Sequence, residues 1–200
     1  EFFGKKRPVL LNFVYFQCPM LCPMTMEGTV NSLTQLKFDI GRDFDVITVS
    51  IDPRDKPSTA AELKDKYVRR YGRLNAANGW HFLTAHEGAI LALADSVGFQ
   101  YAYDKTTDQF AHPSVLLVLT PEGRTSRYFY GFEHKPRDLR LGLRIRDETC
   151  RFPGCGRSAA TSDIDHTVDW QHEGATRHDN IAHLCEAHHQ LKHRTAWRVD

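Results

Sequence analysis

Three runs of apolar side chains, at residues 8–16, 44–51 and 114–119, set the frame of the chain. Each is rich in Val, Leu, Ile and Phe and reads as a strand buried on both faces. Between them the period changes. Residues from Pro19 to Leu36 read as a helix with moderate apolar spacing. Ser58 or Thr59 caps an amphipathic helix that runs to about Tyr71. A short strand over 80–83 and a helix over 87–97 follow. Pro121-Glu122-Gly123 then turns the chain into an antiparallel edge strand over 125–130, and Pro136 opens a helix through Leu143. Strands alternating with helices, then a hairpin and a closing helix, predict a three-layer α/β domain with a mixed sheet. After residue 143 this pattern stops.

Composition explains part of that change. Of the 11 histidines, four precede residue 144 and seven follow it, which places a domain boundary near residues 141–147, between a domain at 1–143 and another at 144–200. The formal net charge of +1 implies no polyanion partner by itself. No run of 18 apolar residues is present, so no membrane-spanning helix is expected. The opening residues show no signal-peptide pattern. Five cysteines, at 18, 22, 150, 155 and 185, are an odd count with tight spacings. That suits metal or redox ligands better than a disulfide framework.

The first strand delivers Cys18-Pro19-Met20-Leu21-Cys22. Pro19 suits a first helical turn, thiols four apart share a helix face, and a helix N-terminus favours thiolate. Two soft ligands there point to a redox pair or to half of a copper site. The order of elements is the thioredoxin arrangement, and His112-Pro113 falls where thioredoxins carry a cis-proline, so a cis bond is expected. Residues 1–143 resemble the Sco/SenC family of copper-binding thioredoxin-fold proteins of cytochrome oxidase assembly. The resemblance is carried by residues 13–23, by Val49-Ser50-Ile51-Asp52-Pro53, by Gly79-Trp80-His81-Phe82-Leu83, by Phe110-Ala111-His112 and by residues 127–131. It implies one copper ion on Cys18, Cys22 and His112, and the cytochrome oxidase copper site or a redox partner as the protein met. It also implies an extracytoplasmic, membrane-associated setting. Buried structural thiols and a thiol–disulfide oxidoreductase are the alternatives. Met20, Met24 and Met26 read better as helix packing than as thioether ligands. His81, His86 and His134 read as surface residues.

A second centre occupies the last 57 residues. Cys150-x4-Cys155 and Cys185-x2-His188 are two knuckles with zinc-ligand spacing, a staple for a domain too small to rely on its own core. With Asp165-His166, Asn180 and His189 between and beside them, the segment resembles the HNH endonucleases of the ββα-metal type. That resemblance implies structural zinc on Cys150, Cys155, Cys185 and His188. His166 would be the general base, with Asn180 and His189 also in the catalytic set. Mg or another divalent cation would sit on Asp165, His189 and His193. DNA would be the partner, its phosphates met by Lys192, Arg194 and Arg198, in the cytoplasm. Eight Lys/Arg against nine Asp/Glu leave any electrostatic footprint local. A non-catalytic zinc or DNA-binding module is the alternative. His172, His178 and His183 read as solvated, and the basic run Arg137, Arg140, Arg144 and Arg146 as a solvated helix face. The chain thus reads as a thioredoxin-like domain followed by a small zinc-stapled ββα-metal domain, a fusion of two modules, natural or artefactual, with no Gly/Ser or Pro-rich linker.

Overall fold

The computed structural model describes residues 2–5, 7–18, 21–135, 139, 150–157, 162–168 and 181–194, with backbone alone at 164, 166 and 181. The chain divides into two compact units, Glu1–Leu143 and Arg144–Asp200.

In the first unit, β1 (Val9–Val14), β2 (Asp45–Ser50) and β6 (Val115–Leu119) are buried at every position. With β3 (Trp80–Leu83) and β7 (Thr125–Tyr130) they form one sheet in the order β3-β2-β1-β6-β7. β1 is parallel to β2 and antiparallel to β6, with Leu11 opposite both Ile47 and Leu117. Helices α1 (Leu21–Thr34), α2 (Pro57–Tyr71), α3 (Ala76–Gly79) and α4 (Glu87–Ser96) connect the strands. Fully buried Trp80, Phe13, Phe44, Leu10 and Leu33 are among the largest core side chains. Burying such side chains contributes about 1.5–3 kcal/mol each before conformational entropy is counted. Two of the contacts that tie down polar groups in this core stand out. Trp80 Nε1 donates to Thr48 Oγ1 at 3.0 Å, and Asp45 meets Arg7 at 2.7 Å.

Several expectations need correction. Lys56, not Ser58 or Thr59, is the N-cap of α2; it makes no side-chain cap bond, because Pro57 at the first turn already fixes φ for the helix. The His112–Pro113 peptide is trans, as are all bonds among the described residues. Trans is the lower-energy form, by about 0.5–1 kcal/mol. A two-stranded hairpin of β4 (Ala102–Asp104) and β5 (Gln109–Ala111) stands in front of His112, where no strand was expected. His134 is 7% exposed rather than superficial: its N–H donates to Ser32 Oγ at 3.2 Å and its ring lies against Phe129. The helix expected at 136–143 lies outside the described residues except for buried Leu139.

The position of α1 follows from Gly28. A Cβ there would fall 1.7 Å from the Phe132 carbonyl oxygen, so only glycine lets the helix sit against the chain leaving β7. Asn12 on β1 donates to Met26 Sδ at 3.3 Å and ties the helix to the sheet.

In the second unit, β8 (Asp163–His166) pairs antiparallel with β9 (Ile181–Leu184), and α5 (Glu186–Arg194) follows. Among the described residues its apolar core is formed by Cys150, Ala182, Leu184 and Cys185, with Phe152 and Cys155 packed against it. His183, expected in solvent, is 6% exposed on β9.

Candidate functional site

Cys18 lies ahead of α1 and Cys22 in its first turn. The Cys22 N–H donates to Cys18 Sγ at 3.3 Å, so the first thiol serves an orphan donor of the helix terminus. The Tyr15 N–H donates to Cys22 Sγ at 3.4 Å. Across 90 residues of sequence, His112 Nε2 lies 3.6 Å from Cys22 Sγ. Its other nitrogen, Nδ1, is 3.1 Å from the Pro113 carbonyl oxygen, an acceptor, which places the ring proton on Nδ1 and the lone pair toward the thiol. Burial pushes the His112 imidazole below its ordinary range, so it stays neutral, the form that ligates. Burial pushes the Cys22 thiol up despite the Tyr15 N–H; Cys22 lines a cavity of about 160 Å³ with Tyr15, Met26, Tyr67 and Phe82. The expected helix-terminus preference for thiolate is outweighed there by desolvation. The three sulfur and nitrogen atoms are not all within 4.8 Å of one another; among the described residues that criterion is met only in the second unit. The Tyr15 hydroxyl engages Cys18.

Residues never singled out as site residues hold this arrangement. Asp55 accepts from Phe16 N at 2.7 Å and from Ser50 Oγ at 2.5 Å, fixing the loop that carries Cys18 to the end of β2. Thr25 Oγ1 on α1 meets Ser114 Oγ at 3.1 Å, two residues beyond His112. Arg54 binds Asp52 through two nitrogens and reaches Asp108 on the β4–β5 turn at 2.6 Å, its guanidinium 5.5 Å from the Tyr103 ring centroid. Only the proximity of Asp55 and Arg54 to the quoted Asp52-Pro53 pair hinted at them. Met26 is buried and Met24 is exposed; Met20 lies outside the described residues.

In the second unit the structure brings Cys150, Cys155, Cys185 and His188 together, with all four ligand atoms within 4.8 Å of one another. His188 Nδ1 lies 3.4 Å from Cys150 Sγ and 3.3 Å from Cys185 Sγ. Bonds of about 2.3 Å to sulfur and about 2.0 Å to nitrogen at tetrahedral angles give an N···S edge of about 3.5 Å, so the donor set fits zinc. The Phe152 ring stacks on His188 at 3.7 Å. Burial raises the Cys150 thiol; at Cys185 the His188 N–H, the neighbouring thiols and Arg157 overcome burial and lower it.

A second group, Asp165, His189 and His193, also has its ligand atoms within 4.8 Å of one another. His189 Nδ1 is 2.9 Å from Asp163 Oδ2, which turns Nε2 toward Asp165, 3.7 Å away. Asp163 had no assigned role, although its place two residues before Asp165 on a strand puts both on one face. Lys192, expected on the phosphate-facing surface, is instead 8% exposed, with Nζ 2.8 Å from Asp165 Oδ2. Arg194 is exposed at the end of α5. The His166 side chain, Asn180 and Arg198 lie outside the described residues, as do His172, His178 and the basic run near the junction.

A mixed sheet with a parallel β1–β2–β3 side, a helix started by a cysteine pair and a histidine brought to it from across the sheet define a thioredoxin-like protein with a thiol–imidazole site. The SCO1/SenC family model matches residues 4–141, and the chain belongs to that family. The SCO1 protein homolog of Bacillus subtilis (strain 168) is 24% identical over 132 residues, 64% of this chain and 65% of that protein. Among solved structures, a protein of Aquifex aeolicus VF5 assigned to electron transfer superposes with a TM-score of 0.61 at 26% identity, over 70% of this chain and 78% of its own. Arabidopsis thaliana ScoI with copper bound shares the fold, with a TM-score of 0.55 at 21% identity over 70% and 83%. A separate 57-residue match, 49% identical, is to an uncharacterised protein of Mycobacterium tuberculosis (strain ATCC 25618 / H37Rv). It covers 28% of this chain and 11% of that protein, so the chain spans about a tenth of that relative's length.

Proposed function

We propose that the first unit is a copper-binding protein that takes one copper ion on Cys18, Cys22 and His112 and passes it to the copper site of cytochrome oxidase. The observation that carries the reading is His112 Nε2, neutral and lone-pair first, 3.6 Å from Cys22 Sγ. Two thiolates and an imidazole suit Cu(I) and tolerate Cu(II). The chain's own work is to supply a low-dielectric pocket in which the Cys22 thiol keeps its proton until metal arrives, and a Cys18 loop held by Asp55. A Cys18 thiol engaged by Tyr15 must swing toward Cys22 and His112 for all three donors to meet. Family membership and the copper-bound Arabidopsis relative support this function. The test is elemental mass spectrometry of the full chain after anaerobic loading with copper and zinc. About one copper per chain, lost in Cys18→Ser/Cys22→Ser, is expected. Full copper retention by that variant would sink the proposal, and a thiol–disulfide oxidoreductase would then explain the cysteine pair.

For the second unit the convergent donor sets favour a separate reading. Zinc on Cys150, Cys155, Cys185 and His188 staples an HNH-type module, and a divalent cation on Asp165, His189 and His193 serves phosphodiester hydrolysis in DNA. The bound cation stabilises the charge developing on the phosphate and its leaving oxygen. Asp163 holds the His189 ring, and Arg194 sits on the helix end that offers positive charge to a backbone phosphate. His166, beside Asp165 on β8, is the base assigned to the attacking water. Cleavage of plasmid DNA that requires Mn²⁺ or Mg²⁺ and is abolished in His166→Ala, with zinc content unchanged, is expected. DNA binding without cleavage would make the unit a zinc-held binding module.

A further inference from the structure

We propose that Lys192 is a built-in cation of the Asp165–His189–His193 group, seated on the carboxylate in the absence of metal and displaced from it when a divalent cation binds. The inference rests on the cation-site reading above.

Lys192 stands three residues after His189 and one before His193, so these α5 side chains reach the same end of β8. Its ammonium is 2.8 Å from Asp165 Oδ2, and the side chain is 5% exposed, whereas His193 beside it is 50% exposed. A lysine stem commonly runs along a surface and leaves its charge in water. This one turns inward, and an ammonium out of water is tolerated only against a carboxylate. The same oxygen, Oδ2, also lies 3.0 Å from His193 Nε2 and 3.7 Å from His189 Nε2. Three nitrogens are thus gathered on one acceptor.

The two imidazoles and the carboxylate are a donor set for a cation, and the ammonium already fills the role of that cation. A divalent ion needs its carboxylate oxygen at about 2.0–2.2 Å. Placing it on Asp165 Oδ2 puts two positive charges on one oxygen, so the ammonium gives way. Lys192 therefore weakens metal binding. Once released it stands beside the bound ion, where the phosphate of a substrate would arrive. The phosphate contact expected of Lys192 from sequence would then exist only in the metal-loaded protein.

The experiment uses the full chain with zinc loaded, titrated with Mn²⁺ and read by electron paramagnetic resonance of the free ion. Lys192→Met removes the competing charge at nearly constant volume and is expected to bind Mn²⁺ at least tenfold more tightly, while Lys192→Arg stays near the wild-type value. In parallel, amine acylation read by mass spectrometry on the wild-type chain is expected to label Lys192 several-fold faster with saturating Mn²⁺ than without. This second measurement decides the matter if Lys192→Met does not fold. Equal or weaker Mn²⁺ binding by a folded Lys192→Met, or Lys192 labelling that ignores Mn²⁺ in a chain that binds it, overturns the inference and leaves the cation site standing. Absence of Mn²⁺ binding from both wild type and variant overturns the cation-site reading itself.

Discussion

Asp55 shows what a single side chain contributes in this protein. It is 6% exposed and gathers Phe16 N–H, the Ser50 hydroxyl and, at 3.4 Å, Gln17 Nε2. Removing it leaves buried donors without partners, at about 1–3 kcal/mol each. Asp55→Ala is therefore expected to lower stability by about 2–4 kcal/mol in urea unfolding and to weaken copper binding, because the loop ahead of Cys18 loses its anchor. Asp55→Asn, which keeps an acceptor, is expected to lose less. A second residue-scale consequence concerns acid. Burial pushes His134 below its ordinary value of 6.5, and His81 and His112 shift the same way. The unfolded chain then takes up protons first, so stability is fully present above about pH 6.5 and is lost as pH falls from there toward the folded values. Urea midpoints of the metal-free protein are expected to drop between pH 7.5 and 5.5, and His134→Phe is expected to flatten that slope. An unchanged slope would remove His134 from the account.

Among the elements, the β4–β5 hairpin matters most for the first site, because His112 leaves directly from β5. Its six strand residues form no part of the main sheet; side-chain contacts such as Arg54 to Asp108 and the Phe110 ring against Tyr15 tie it to the unit, and within it the Tyr103 hydroxyl donates to the Asp108 carboxylate at 2.5 Å. Arg54→Ala gives up an exposed pair with Asp108 and also the guanidinium partner of the buried Asp52 carboxylate, so it is expected to lower stability as well. Copper affinity is expected to fall on the order of tenfold, the low end for residues that orient a ligand from behind. Calorimetric copper titration of the folded variant reads the split between the two. The same element marks the limit of what sequence discloses. β1, β2 and β6 are legible because burial on both faces leaves runs dominated by apolar residues, even with Asn12, Asp45, Thr48 and Ser50 among them. Ala102–Asp104 and Gln109–Ala111 are three residues each and largely exposed, so no burial pattern marked them. Asp55 and Asp163 were missed for a related reason. Their roles arise only when strands lie side by side, and an aspartate in a loop or on a short strand has an ordinary solvated reading. Lys192 reads as surface because α5 is polar on most of its length, and only tertiary contact turns that side chain inward.

At the scale of the whole molecule, the two units draw stability from different sources. The first has a five-stranded sheet with strands buried on both faces. Among its described residues the second has a small apolar core of Cys150, Ala182, Leu184 and Cys185, two of them cysteines of the proposed zinc site. Structural zinc contributes folding free energy directly, about 10–16 kcal/mol apparent in small zinc-held peptides. A strong zinc chelator is expected to abolish protection from hydrogen exchange over residues 150–157 and 181–194 while β1, β2 and β6 stay protected. Equal protection with and without chelator would show that the second unit needs no metal. The small cysteine-lined core also has a consequence for the life of the protein in a cell. On the proposed zinc reading, a freshly made chain that meets no zinc would carry a second unit of unburied thiols and unpaired backbone, open to oxidation and to proteases. How long the activity proposed for the second unit lasts would then be set by metal supply and the rate of turnover, with no change in the gene or in the first unit.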